Sequence, residues 1–168
     1  MNSSIVIMGV AGCGKSHIGA AVAQHEGWTL IEGDDFHSEE SRRKMGAGTP
    51  LTDADREGWL AQLGQMLAQA PGPVVLTCSA LKRRYREQLR AAAPGLRFVF
   101  LEIQREESLK RVASRSASHF FPVALVDNQF ATLESPVGET LTLTLDATLP
   151  VAELQGRISA WVREGVCA

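Results

Sequence analysis

Cysteine is sparse in this sequence. The three present, Cys13, Cys78 and Cys167, lie far apart and belong to no CxxC pair or Cys/His cluster, so neither a disulfide framework nor a zinc site is indicated. Long apolar runs are missing as well, since none approaches the roughly 18 residues that a membrane helix requires. Before the first short run, Ile5-Val6-Ile7-Met8, stand only Met1-Asn2-Ser3-Ser4, without the basic segment of a signal peptide. A reduced, cytoplasmic setting is the expectation. A basic surplus is also absent: 17 Lys and Arg against 19 Asp and Glu leave a formal charge of −2. A nucleic-acid binder normally carries such a surplus to exchange for phosphate counterions, which argues against that class and leaves room only for a local patch. No internal repeat, low-complexity tract or linker interrupts the chain. Its 45% hydrophobic and 21% charged residues match an ordinary globular domain, and 168 residues predict a single domain over 1–168 at roughly 100 to 200 residues per domain.

What is there begins with short apolar runs of the kind that a parallel sheet buries on both faces: Ile5 to Met8, Thr29 to Ile31, Val74 to Leu76, Phe98 to Leu101 and Leu141 to Leu145. Helical patterns separate them at Ser16 to His25, Asp53 to Ala70, Tyr85 to Ala93, Glu106 to Ser114 and Val151 to Val166. Strand and helix alternate, so an α/β fold with a five-stranded parallel sheet wrapped by helices is expected. Thr52-Asp53-Ala54-Asp55 reads as a helix start and Pro71-Gly72-Pro73 as a stop. The least regular interior stretch is Ser114 to Pro122, polar and then abruptly aromatic at Phe120-Phe121.

Gly9-Val10-Ala11-Gly12-Cys13-Gly14-Lys15-Ser16 satisfies G-x-x-x-x-G-K-[ST] directly after a strand and directly before a helix. Backbone N–H groups of such a loop turn inward around phosphate oxygens, and the helix N-terminus adds partial positive charge. Lys15 can reach the β- and γ-phosphates, and the Ser16 hydroxyl can ligate Mg²⁺. Cys13, at a helix N-terminus that favours thiolate, is expected to be accessible in the empty loop. A GTPase would also carry Asn-Lys-x-Asp, which is missing, and Asp55-Arg56-Glu57-Gly58 meets D-x-x-G only inside a helical pattern.

The second strand ends in Gly33-Asp34-Asp35-Phe36-His37, where open α/β sheets bind ligands. Phosphoryl transfer to a hydroxyl calls for a carboxylate there, to orient the attacking group and help hold Mg²⁺. Spacing does not rank Asp34 against Asp35. Five basic residues between Lys82 and Arg90 follow the third strand. The first of them, Lys82 and Arg83, are better placed to meet an anionic substrate than Arg86 or Arg90. Arg111 and Arg115 are four apart on one helix face, suited either to the transferring phosphoryl group or to pairing with Glu107. His25, His37 and His119 read as ordinary polar residues with no proton-transfer role.

Five blocks between Ile5 and about Pro136 carry a resemblance: IVIMGVAGCGKS, GDDFH, KMGAGTPLTDADREGWL, CSALKRRYREQLR and HFFPVALVDNQFATLESP. The chain resembles the thermoresistant-type gluconokinases of the shikimate-kinase-like branch of phosphate-loop kinases. His17, Gly58 and Val126-Asp127-Asn128 depart from that family's usual pattern. The resemblance implies a three-layer fold with strand order 2-3-1-4-5, a short lid over about 111–121, a homodimer, and phosphorylation of D-gluconate at its 6-hydroxyl by ATP with Mg²⁺. It implies nucleotide contacts from Gly9, Val10, Ala11, Gly12, Cys13, Gly14, Lys15, Ser16, Arg111 and Arg115. Gluconate contacts would come from Asp35, His37, Lys44, Arg56, Ser79 and Lys82. Lys15, Asp34, Asp35 and Arg115 would carry the chemistry, and Ser16 and Asp34 would hold the metal. Alternatives are shikimate kinase, whose triple glycine after the third strand is replaced here by Cys78-Ser79-Ala80, a nucleotide kinase, and a nucleotide-dependent switch or binding module.

Overall fold

Ile5 and Ile7 face one side of strand β1 (Ile5–Met8), Val6 and Met8 face the other, and all four are fully buried. Period-two alternation of uniformly apolar residues leaves no face fit for water, so β1 must lie inside a sheet covered on both sides. The computed structural model, which describes residues 4–115 and 123–166, places it there. The parallel sheet runs β2-β3-β1-β4-β5, with β2 (Thr29–Glu32), β3 (Val74–Thr77), β4 (Arg97–Glu102) and β5 (Thr142–Asp146). Ile5 registers with Val75 on one neighbour and Arg97 on the other. The strand order is the one the resemblance implies.

On one face α1 (Lys15–Glu26) and α7 (Val151–Val166) bring Ile18, Val22, Leu154, Ile158 and Val162 onto Ile5, Ile7, Val75 and Val99. On the other, α3 (Asp53–Gln69) and α4 (Arg83–Ala92) bring Leu60, Leu63, Leu67, Tyr85 and Leu89 onto Val6, Met8, Leu76 and Phe98. The start signal of α3 is a full capping box: Asp55 N–H donates to Thr52 Oγ1 at 3.1 Å and Thr52 N–H to Asp55 Oδ2 at 2.9 Å. Leu63 is 0% exposed at the centre of this layer. Leu63→Ala is therefore expected to cost about 2–5 kcal/mol, the loss of transfer energy plus a cavity, and urea unfolding measures it.

Three helical segments have no counterpart in the sequence periodicity. A 3₁₀ turn at Gly33–Phe36 follows β2, and α2 (Glu39–Gly46) is almost wholly polar, with only Ser41 buried. No apolar stripe announces α2; its signals are Ser38, whose Oγ accepts from Ser41 N–H at 3.1 Å, acids in the first turn and bases in the last. The third is α6 (Val123–Thr132), which follows α5 (Arg105–Arg115). Residues 116–121 of the expected lid lie outside the described residues.

Among the basic residues that follow β3, Arg86 does not face solvent. Its side chain is wholly buried, ion-paired with Glu139 at 2.7 Å and donating to the carbonyls of Ala80 at 2.7 Å, Leu81 at 3.1 Å and Glu134 at 2.8 Å. Ala80 holds a left-handed φ of 45°, a conformation that strains a residue with a Cβ. The guanidinium bonds to its carbonyl and the next one fix this turn, which carries Ser79 to the site.

Candidate active site

The loop between β1 and α1 is built on left-handed glycines, with φ of 147° at Gly9, 79° at Gly12 and 93° at Gly14. At Gly9 a Cβ would stand 2.9 Å from the Leu101 carbonyl and 2.7 Å from Cys13 Sγ, so only glycine fits. Gly14 precedes α1 with no side-chain cap, and the first-turn N–H groups are left for an anion. Lys15 Nζ folds over the start of the loop, donating to the carbonyls of Gly9 at 3.0 Å and Val10 at 3.3 Å. Ser16 Oγ donates to Glu32 Oε2 at 3.0 Å, and Thr77 Oγ1 donates to the same oxygen at 2.6 Å.

The turn after β2 brings Asp34 beside this loop. Gly33 is needed there because a Cβ would press to 2.4 Å of the Thr77 carbonyl, and Trp59 Nε1 of α3 pins the turn by donating to the Gly33 carbonyl at 2.8 Å. The Asp34 side chain is 78% exposed within the concavity, with Oδ1 3.4 Å from His37 Nε2. Desolvation by the surrounding walls pushes its carboxyl upward. The bond to His37 and the charges of Lys15 and Arg42 outweigh that and hold it below the ordinary aspartate value. The His37 ring stacks on Trp59 at 4.1 Å between centroids, and its buried Nδ1 has no hydrogen-bond partner among the described residues.

Lys15, Ser16, Asp34, His37, Arg56, Ser79 and Gln129 share one cleft with the loop residues Ala11, Gly12 and Gly14; Met45, Leu51 and Trp59 supply its apolar wall. Arg56 of α3 donates to Tyr85 Oη at 3.2 Å and lies over that ring. Among the described residues of this wall, Arg56 and Lys15 are the Arg and Lys side chains, and neither has a carboxylate partner. A second hollow, separated by Gly14 and His17, is lined by Ile18, Arg111, Ala147, Leu149, Val151 and Leu154.

A family model described as an AAA domain matches residues 5–136. Gluconokinase of Gluconobacter oxydans (strain 621H) is 44% identical over 135 residues, which span 79% of this chain and 75% of that one. The thermoresistant gluconokinase of Escherichia coli (strain K12) is 36% identical over 150 residues, 87% of this chain and 85% of that one. The chain belongs to the gluconokinase family. In structure, a gluconokinase from Sinorhizobium meliloti 1021 superposes with a TM-score of 0.88 at 47% identity, covering 96% of this chain and 91% of that one.

The gluconokinase fold separates the residues that the resemblance grouped. Asp34, His37, Arg56 and Ser79 reach the cleft wall, whereas Asp35, Lys44 and Lys82 are absent from it. Asp35 is exposed, with its carbonyl accepting from Arg42 at 2.7 Å. Lys44 is paired with Asp55 at 3.0 Å and Lys82 with Asp53 at 3.0 Å; Arg84 and the Tyr85 hydroxyl also hold Asp53. Hydrogen bonds from the Tyr85 hydroxyl and then Lys82 keep the Asp53 carboxyl below its ordinary value. Arg83 turns to Glu87 at 3.8 Å. Arg111 pairs with Glu107 at 3.4 Å, one of the two roles considered for it, and also donates to the Gly12 carbonyl of the phosphate loop at 3.1 Å. The Arg115 side chain lies outside the described residues. Cys13 is buried, 1% exposed under the loop, against the expected accessible thiol, because its side chain packs inward beneath Gly9. Sequence reasoning missed Glu32, Trp59, Met45, Leu51 and Gln129. The strand-end position of Glu32 was a usable signal, and the others have none short of the fold.

Proposed function

We propose that this chain transfers the γ-phosphoryl group of ATP to the 6-hydroxyl of D-gluconate, giving ADP and 6-phospho-D-gluconate. The observation that carries the reading is the layout of charge in one cleft: a phosphate loop with Lys15, a carboxylate at Asp34, and an uncompensated cation at Arg56. A sugar acid offers a carboxylate at one end and a primary hydroxyl at the other. Arg56 suits the first and Asp34 the second, with a planar guanidinium able to take a carboxylate in bidentate fashion. His37 and Ser79 add polar contacts to the same substrate, and the second hollow beyond Gly14 accommodates the nucleotide base. In an in-line transfer the hydroxyl oxygen bonds to phosphorus as the bond to the β-phosphate oxygen breaks. Asp34, held ionised, accepts the hydroxyl hydrogen bond, aims the nucleophile, and takes its proton late, when the oxygen has become acidic. Lys15 neutralises charge on the phosphoryl oxygens.

The oxygen donors at Ser16, Glu32 and Asp34 suit Mg²⁺, a hard ion that takes one or two carboxylates together with substrate phosphates. Bound there, it would supply positive charge against the phosphates. Asp35, Lys44 and Lys82 enter the proposal as outer residues around gluconate, and Arg111 with Arg115 as nucleotide contacts. The family resemblance further supports a single kinase domain over 1–168 with a lid over about 111–121, a cytoplasmic homodimer, and no nucleic-acid or membrane partner. Among the described residues no helix is long and apolar enough to cross a membrane.

Substrate kinetics test the reading. An anion missing from a site built around a cation forfeits a charged hydrogen bond of roughly 1.5 to 3 kcal/mol, or about 10- to 100-fold in kcat/KM. Sorbitol and glucose should therefore fall at least that far below gluconate. Arg56→Ala should raise KM for gluconate by a similar factor and leave KM for ATP near wild type. Equal kcat/KM for sorbitol and gluconate would remove the carboxylate clamp.

A further inference from the structure

The Ala11 N–H of the phosphate loop donates to Gln129 Oε1 of α6 at 2.6 Å, across 118 positions of sequence. A backbone N–H can only donate, so the acceptor end of the carboxamide must face the loop. The Nε2 donors then point away from Ala11. They have no partner among the described residues, and Gln129 lines the cleft. Its position is stiff: Leu125 and Val126 of α6 are buried, Phe130 and Leu133 pack on the core, and the Glu134 N–H at the helix end donates to the Leu81 carbonyl at 2.8 Å. The contact falls at the β,γ end of the nucleotide site, because Lys15 Nζ rests on the carbonyls of Gly9 and Val10, next to Ala11. The base-side hollow lies at the other end of the loop, around Arg111 and Leu149.

We propose that Gln129 is a catalytic residue whose Nε2 hydrogens donate to the γ-phosphoryl oxygens of the bound triphosphate, while its Oε1 keeps it tethered to the loop. The assignment rests on the kinase reading above. It gives the transferring group a neutral pair of donors in addition to the Lys15 ammonium, positioned before the substrate arrives, which is where preorganised dipoles lower a barrier most. Because the tether fixes which end of the amide faces the cleft, the donors cost no reorientation at the moment of transfer.

Two substitutions separate this role from simple support of the loop. Gln129→Glu keeps an acceptor for Ala11 and replaces the donors with negative charge, whereas Gln129→Met removes both. The readout is the ratio of affinities for the β,γ-imido analogue of ATP and for ADP, each with Mg²⁺, by calorimetry, alongside kcat with gluconate. Gln129→Glu should weaken the imido analogue by about 10- to 100-fold, the scale of a charge-assisted bond lost, with ADP affinity nearly unchanged and kcat reduced. Gln129→Met should lower the same ratio. A purely structural role predicts the opposite pattern: wild-type behaviour for Gln129→Glu and equal weakening of both nucleotides in Gln129→Met. That result overturns the assignment. The affinity ratio needs no gluconate, so wild-type protein that ignores gluconate would defeat the substrate reading and leave the ratio to decide the role of Gln129.

Discussion

Lys15→Met should lower kcat by about two orders of magnitude or more, the scale of losing one preorganised electrostatic stabiliser, while circular dichroism and the melting temperature stay near wild type. The separation of the two effects follows from where the ammonium lies. Its hydrogen bonds go to the Gly9 and Val10 carbonyls and, weakly, to Cys13 Sγ, all within the loop itself. No core contact depends on the charge, and methionine keeps a stem of similar length. Phosphoryl transfer asks little covalent chemistry of the protein and much charge neutralisation, so losing this cation strikes the transition state directly. A folded Lys15→Met variant with unchanged kcat would show that the loop binds phosphate without serving transfer.

The second large effect is expected at Asp34. Asp34→Asn should reduce kcat by about 10²- to 10⁴-fold, the range for removing a positioned acid or base, with a smaller change in KM for gluconate. Asp35→Asn should remain close to wild type, because its side chain is exposed and off the cleft wall. The Asp34 carboxyl lies below its ordinary value despite desolvation, through His37, Lys15 and Arg42. Its charged form thus contributes stability above the unfolded-state value of roughly 3.9, and that contribution disappears only as pH falls through the lower folded value. In the wild type the acid limb of kcat due to this group should lie below the ordinary aspartate range, and Asp34→Asn should lose that limb. Stopped-flow rates over acid to neutral pH would reveal it. Near-wild-type rates for Asp34→Asn would end the carboxylate mechanism.

Arg56 and Lys82 show why residue type and position along the chain do not tell a free cation from a neutralised one. Both are cations at the sheet edge that holds the phosphate loop, and both fit a sugar-acid site by motif. In the fold Lys82 is neutralised by Asp53, 29 positions away, and Arg56 is left with Tyr85. The pairing is set by how α3 crosses α4, and helical periodicity holds no record of that crossing. Lys44 is withdrawn in the same way by Asp55. Arg86 is the extreme case: four bonding partners bury a residue that a charge run would place in water.

Some features of this protein were settled by local chemistry alone. The wholly apolar strand Ile5 to Met8 must be covered on both faces, and strand runs alternate with helical patterns, so the parallel α/β architecture was legible. The phosphate loop was legible because all its working groups, glycines, Lys15, Ser16 and the helix start, are contiguous and need no distant partner. The family resemblance was carried by blocks of the same contiguous kind. Tertiary structure alone decided the rest. A 3₁₀ turn rotates Asp34 into the cleft and Asp35 out of it, a choice that adjacency cannot make. The tether of Gln129 to Ala11 depends on surfaces brought together by the sheet. Packing decides which charges are neutralised before a substrate arrives, and the charges left over define the site.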